Sequence, residues 1–189
     1  NSLQSLSSLI QIEQRRAKSD ETHAALATVR SRIGAVSQLH ELLYRTDASP
    51  AVSLATYAGH LVDHLRAVAP SNVSLTLHAQ DFEVSSSQAV AVGTLINEVA
   101  ANAFKHAFPD GQDGAVVLEI ASGTAPGDIR ITCADTGVGL PDEINPSLGG
   151  LGMLIAQVIV TELQSELEVQ NTPGGLTVAL EFTPDVPDQ

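Results

Sequence analysis

The stretch "NEVAANAFKHAF", Asn97 to Phe108, sets two amides, a carboxylate, a lysine and a histidine into a run otherwise suited to a buried helix. Glu98, Asn102 and Lys105 follow one another at spacings that put them on one stripe of an α-helix. Burying polar groups without partners is costly, so this stripe faces either water or a polar ligand. As a ligand site its parts are complementary. The Asn102 carbonyl oxygen suits a hard cation such as Mg²⁺, Lys105 neutralises phosphate, and Glu98 can hold a metal-bound water or polarise an attacking group. Asn97 is a weaker candidate beside them. Taken alone, the run reads first as a solvated helix edge, with Lys105 in an ordinary surface pair.

Working outward, the long Ala- and Val-rich helix that carries the stripe spans about Ser86 to Ala107. Before it, "VSLATYAGHLVDHLRAVA" reads as a helix ending ahead of Pro70, and "VSLTLHA" alternates as a strand. After it, "AVVLEIAS" and "GDIRITCAD" form a hairpin around "GTAPG". Ile129, Ile131 and Cys133 share one face of its second strand, and Arg130 and Thr132 the other. "LGMLIAQVIVTEL" is a helix, and "ELEVQN" and "GLTVALEF" close the region as a hairpin around "TPGG". Mostly antiparallel strands with helices on one face predict an α+β fold, a two-layer sandwich occupying residues 48–189.

Residues 1–47 differ in kind. Leu3, Leu6, Leu9 and Ile10 form one amphipathic stripe, and after "KSDE" a second runs through Leu26, Val29, Ile33, Val36, Leu39 and Leu43. Two helices alone cannot close a core, so the hairpin is expected to dimerise into a four-helix bundle.

Nine basic residues against 22 acidic ones give a net charge of −13, which opposes association with nucleic acid or an anionic membrane surface. A polyanion would have to be gripped locally, by helix termini and backbone N–H groups. Cys133 stands alone, excluding an internal disulfide framework and a Cys-rich zinc site. No apolar run reaches the roughly 18 residues of a membrane span, and no signal-like N-terminus is present, so the chain reads as soluble and cytoplasmic. Because it opens on helical sequence without Met, it also reads as a segment of a longer protein.

Two further motifs bear on the stripe. In "DTGVGLP", Asp135 ends a strand, where its carboxylate can accept from the exocyclic amine of adenine, and Gly137 and Gly139 let backbone approach a planar base. "GGLGM", 149–153, precedes an apolar helix whose free N–H groups could meet phosphate. Each motif alone is an ordinary turn; their order and spacing within one domain are specific.

In that order, residues 85 to 183 resemble the ATP-binding domain of the histidine kinase, gyrase and Hsp90-type ATPases, a fold of Bergerat type. "NEVAANAFKHAF" matches the N box, and "DTGVGLP" and "GGLGM" match the two glycine boxes. The N-terminal part is similar to the HWE and related histidine kinases, whose dimerisation helix carries His-Arg-x-Lys-Asn-x-Leu-Gln. Asn1, Ser2, Leu3 and Gln4 match its last four positions, and "RIGAVSQLHELLYRTD" resembles the second helix.

The resemblance implies ATP and Mg²⁺ as cofactors, with Asn102 the Mg²⁺ ligand, Glu98 the catalytic carboxylate, Lys105 a phosphate contact and Asp135 the adenine reader. Gly137, Gly139, Gly150, Leu151 and Gly152 would shape the pocket and its lid. Thr177 would lie on the adenine side. His106 follows the N-box pattern but reads first as packed or phosphate-adjacent. The implied activity is that of a two-component sensor histidine kinase core, a homodimer that passes phosphate to the receiver domain of a response regulator. In this register the acceptor histidine falls four residues ahead of Asn1. The alternative is a scaffold of the same fold that does not autophosphorylate, acting as a phosphatase or docking a response regulator; a gyrase-like hydrolase fits the hairpin least.

Overall fold

The computed structural model describes residues 51–140, 159–172 and 174–185, all within the compact unit Ser49–Gln189. The predicted hairpin over 1–47 and its dimer, the lid after Leu140, and the "GGLGM" motif with Gly150, Leu151 and Gly152 lie outside the described residues.

A short strand, β1 (Ala51–Ser53), leads into α1 (Leu54–Val68). The sequence reading began the helix at Val52. Ser53 is instead its N-cap: extended at φ −65°, ψ 110°, its Oγ accepts from Thr56 N at 3.2 Å. An extended cap leaves Ala51–Ser53 free to pair antiparallel with β3 (Glu83–Ser85), which the sequence reading did not foresee. Helix α1 stops at Ala69, the residue before Pro70, where proline disfavours helical backbone. A second serine cap, Ser85, accepts from Gln88 N at 3.3 Å and starts α2 (Ser86–Asn102).

Strands β2 (Val73–Ala79), β4 (Gly114–Ser122), β5 (Ile129–Asp135), β6 (Leu167–Thr172) and β7 (Gly175–Phe182) form one sheet in the order β2-β4-β5-β7-β6. Only β2 and β4 run parallel, so the sheet is mixed and mostly antiparallel, as expected. Parallel neighbours need a crossover, and α2 supplies it. Register aligns Leu118, Cys133 and Val178 across three strands, and likewise Ile120, Ile131 and Leu180. All six are buried beneath the helices. Fully burying such an aliphatic side chain stabilises by roughly 1.5–3 kcal/mol, which makes this layer the main source of cohesion.

The opposite sheet face is polar. Arg130 on β5 bonds to Glu168 on β6 and, at 3.4 Å, to Glu181 on β7. Glu181 Oε1 also accepts from Thr124 N, Thr124 Oγ1 and Ala125 N, so one carboxylate caps the β4–β5 turn. Those hydrogen bonds, Thr124's foremost, hold its carboxyl below the usual range. No helix among the described residues is long and apolar enough to cross a membrane.

The two helices meet where Tyr57 lies on Gly93. A Cβ at Gly93 would stand 2.6 Å from the Tyr57 hydroxyl and 2.7 Å from its ring, so only glycine admits the tyrosine. That hydroxyl is buried and has no hydrogen-bond partner among the described residues. Two outcomes are expected in urea unfolding. Tyr57→Phe raises stability by about 1 kcal/mol, by removing an unsatisfied buried hydroxyl, whereas Gly93→Ala lowers it by about 1–3 kcal/mol through overpacking. Cys133 offers a third test, because burial pushes its thiol up to about 12. An unfolded thiol ionises near pH ~8.5, so the stability linked to Cys133 is complete below that and declines as pH rises toward 12. Disulfide-exchange reagents at pH 8 should leave it unmodified in the folded protein and label it in urea.

Candidate nucleotide site

Along α2 one stripe runs Ala91, Leu95, Glu98, Asn102. Its first three members are buried and Asn102 is exposed, so the stripe passes from the core to the surface. Glu98 is only 5% exposed, which removes the solvated-edge reading for it. The helix then widens. Ala103–Ala107 forms a π-helical turn carrying Lys105 and His106, both exposed. A regular α-helix over the whole stretch was expected, and the wider turn changes the angular position of Lys105 relative to Asn102. Single π turns of this kind occur often at functional sites.

The π turn touches the loop after β5. Val138 N donates to Ala107 O at 3.0 Å, and a Cβ on Gly137 would stand 2.3 Å from that carbonyl. Glycine at 137 is therefore required for the two motifs to meet. Asp135, two residues earlier, ends β5 opposite Val116, on the buried face of the sheet. Its Oδ1 accepts from Gly137 N at 2.8 Å and from Leu176 N at 3.3 Å. Gly175, at φ +132°, brings β7 so close that a Cβ there would lie 1.8 Å from Asp135 O. One carboxylate oxygen is thus fixed by two backbone amides, while Oδ2 has no hydrogen-bond partner among the described residues.

The structure brings together the end of α2 with its π turn, Asp135, Gly137 and Gly139. It does not bring Thr177 to Asp135. Thr177 pairs with Ala134 and Gln170, so strand alternation turns it to the face of Arg130 and Thr132. Leu176 is the residue of β7 that meets Asp135. His106, which the sequence reads as packed or phosphate-adjacent, is exposed, so it is not packed. Sequence reasoning missed Gly175, Leu176 and Asn171. The Asn171 amide bonds Leu140 on both its N–H and its carbonyl. Gly175 had been read only as part of a hairpin turn, and Asn171 only as a strand end; an asparagine closing an alternating strand was the available signal. Among the described residues no three of His, Cys, Asp and Glu cluster as a metal site.

Comparison with known proteins identifies the family. Residues 61–182 match the family described as histidine kinase-like ATPase domain, and residues 1–69 match the one described as histidine kinase. The chain is similar to blue-light-activated histidine kinase 2 of Erythrobacter litoralis, 28% identical over 134 residues, or 69% of this chain and 38% of that protein. It therefore spans well under half the length of this curated relative. The solved histidine kinase domain of a blue-light activated kinase from the same organism superposes with a TM-score of 0.73 at 24% identity, covering 95% of each chain. A mycobacterial sensor histidine kinase gives a TM-score of 0.54 at 19% identity, over 71% of this chain and 99% of that one. These two structures attest the fold. With the larger match spanning well over half of its residues, the chain belongs to the histidine kinase-like ATPase domain family, joined in this sequence to an N-terminal match to the family described as histidine kinase.

Proposed function

We propose that residues 48–189 bind ATP with Mg²⁺ and form the catalytic core of a cytoplasmic two-component sensor histidine kinase. The observation that carries the reading is the Asp135 carboxylate, with Oδ1 fixed by the amides of Gly137 and Leu176 and Oδ2 left to accept one further donor. Adenine offers an exocyclic N–H₂ where guanine has a carbonyl, so this acceptor favours the first and repels the second. Leu176, rather than Thr177, is the β7 residue beside the base.

The donor set fits Mg²⁺ in the way that ion is usually held. Mg²⁺ keeps most of its oxygen ligands as water and phosphate, so the single exposed amide oxygen of Asn102 suffices from the protein side, and no carboxylate cage is required. When bound, the ion would neutralise charge on the phosphates. Lys105 and the neighbouring His106 are exposed on the π turn and would hold phosphate oxygens, while Glu98 beneath them would accept a proton or orient the attacking group. The γ-phosphoryl would pass to a histidine ahead of Asn1 and then to an aspartate of a response-regulator receiver domain. Residues 1–47 would supply the homodimer contact through their hairpin.

Calorimetry with nucleotide and Mg²⁺ tests the site first. Wild type should prefer ATP to GTP, and Asp135→Asn should weaken ATP binding by roughly tenfold or more, the loss expected for a hydrogen bond to a charged acceptor. Asn102→Ala should leave metal-free affinity in place and remove the gain from Mg²⁺. Incubating protein extended upstream of Asn1 with γ-labelled ATP then tests the chemistry. Acid-labile label on the protein supports the kinase. ATP binding with no label points to the phosphatase or docking scaffold, and no binding at all overturns both.

A further inference from the structure

The penultimate residue of strand β6 is one to which neither the sequence motifs nor the family match gives a role. The primary amide of Asn171 meets one residue of the loop after β5 on both polar groups. Leu140 N donates to Oδ1 at 2.7 Å, and Nδ2 donates to Leu140 O at 2.9 Å. The side chain thereby does what a neighbouring strand would do for a residue that lies outside the sheet. Gly139 makes the approach possible. It takes φ +71°, and a Cβ there would stand 2.5 Å from Asn171 Oδ1 and 2.8 Å from Thr172 O. Register puts Asn171 opposite Leu176, the residue whose amide holds Asp135, so the clamp and the carboxylate share one side of the sheet.

The loop between them is tied along its length. Thr136 N donates to Ala115 O while Thr136 Oγ1 accepts from Ala115 N. Gly137 N is taken by Asp135, and Val138 N by Ala107 O. At the Leu140 end, Asn171 is the sole side-chain tie among the described residues. Asn171 is exposed, so apolar burial does not explain the residue; an alanine would serve the strand as well. Only an amide offers one donor and one acceptor in the geometry of a peptide unit.

We propose that Asn171 is a positioning residue for nucleotide binding, holding the Thr136–Leu140 segment so that Asp135 and the Gly137 turn keep the shape that receives the base. This rests on the reading of the site as a nucleotide site, and the two can fail separately.

The test uses the full chain and ADP with Mg²⁺. In the nucleotide-free protein, Asn171→Ala should speed hydrogen exchange at the Leu140 amide, and ADP affinity should fall roughly tenfold, the loss of two modest hydrogen bonds. Gln170→Ala, on the same strand but the opposite face, should change neither. Asn171→Asp is the sharper variant. It keeps the acceptor for Leu140 N but sets a second acceptor against Leu140 O, so it should bind ADP no better than the alanine variant despite its near-identical size. If wild type binds no ADP, the nucleotide reading itself fails. If wild type binds and Asn171→Ala binds equally well, or Asn171→Asp behaves as wild type, the positioning role is overturned. An equal loss in Gln170→Ala would also overturn it, by showing a general weakening of β6.

Discussion

The site hangs on the close approach of β7 to the end of β5. Gly175 comes so near the Asp135 carbonyl that any side chain would collide with it, and this approach lets Leu176 N reach Asp135 Oδ1. With Gly137 N on the same oxygen, the carboxylate is oriented by backbone groups that cannot rotate away. Such orientation is set during folding rather than on ligand arrival, which is the physical content of preorganisation. The other features of the site either feed this pair of strands or extend from it. The hydrophobic layer of Cys133, Ile131, Val178 and Leu180 fixes β5 against β7 in register, and a one-residue slip would move Leu176 away from Asp135 and its whole apolar set to the wrong face.

The second constraint lies at the end of α2. A helix that stayed α-helical to Ala107 would place that residue's carbonyl at a different angle around the axis; the π turn inserts the extra backbone that swings it toward Val138 N. The same turn exposes Lys105 and His106 while Glu98, one to two turns back, stays buried. A buried carboxylate followed by an exposed lysine and histidine is a graded environment along one helix.

Much of this was legible in the sequence, and for identifiable reasons. The strands of "VSLTLHA", "GDIRITCAD" and "GLTVALEF" announce themselves by period-two alternation of residues that do sit on opposite faces, and Ile129, Ile131 and Cys133 fall on the buried one. Asp135 and the glycines after it were legible because turn chemistry demands those residue types. The misses arose where tertiary approach decides the outcome. Strand β1 is three residues long, and without β3 beside it nothing separates it from the helix that follows. The π turn has no residue signature, since Ala-Phe-Lys-His-Ala is equally good α-helix. The resemblance implied Thr177 on the adenine side, yet strand parity, which residue type does not reveal, points it to the other side.

The acidity of the chain, which argued against nucleic acid at the level of composition, is compatible with the proposed phosphate contacts once distances are considered. At physiological ionic strength the field of an exposed charge decays over about 8 Å, so a net charge of −13 spread over 189 residues has little hold on a ligand at one edge. What counts is the immediate surroundings of the π turn. There Lys105 and His106 are exposed together, Glu98 is withdrawn into the core, and Asp135 has one oxygen engaged by amide dipoles. The proposed phosphate contact therefore rests on the placement of Lys105 and not on a locally basic surface, since Asp110 just after the turn is exposed as well. On the proposed reading, phosphate is held by the placement of these few groups rather than by total charge.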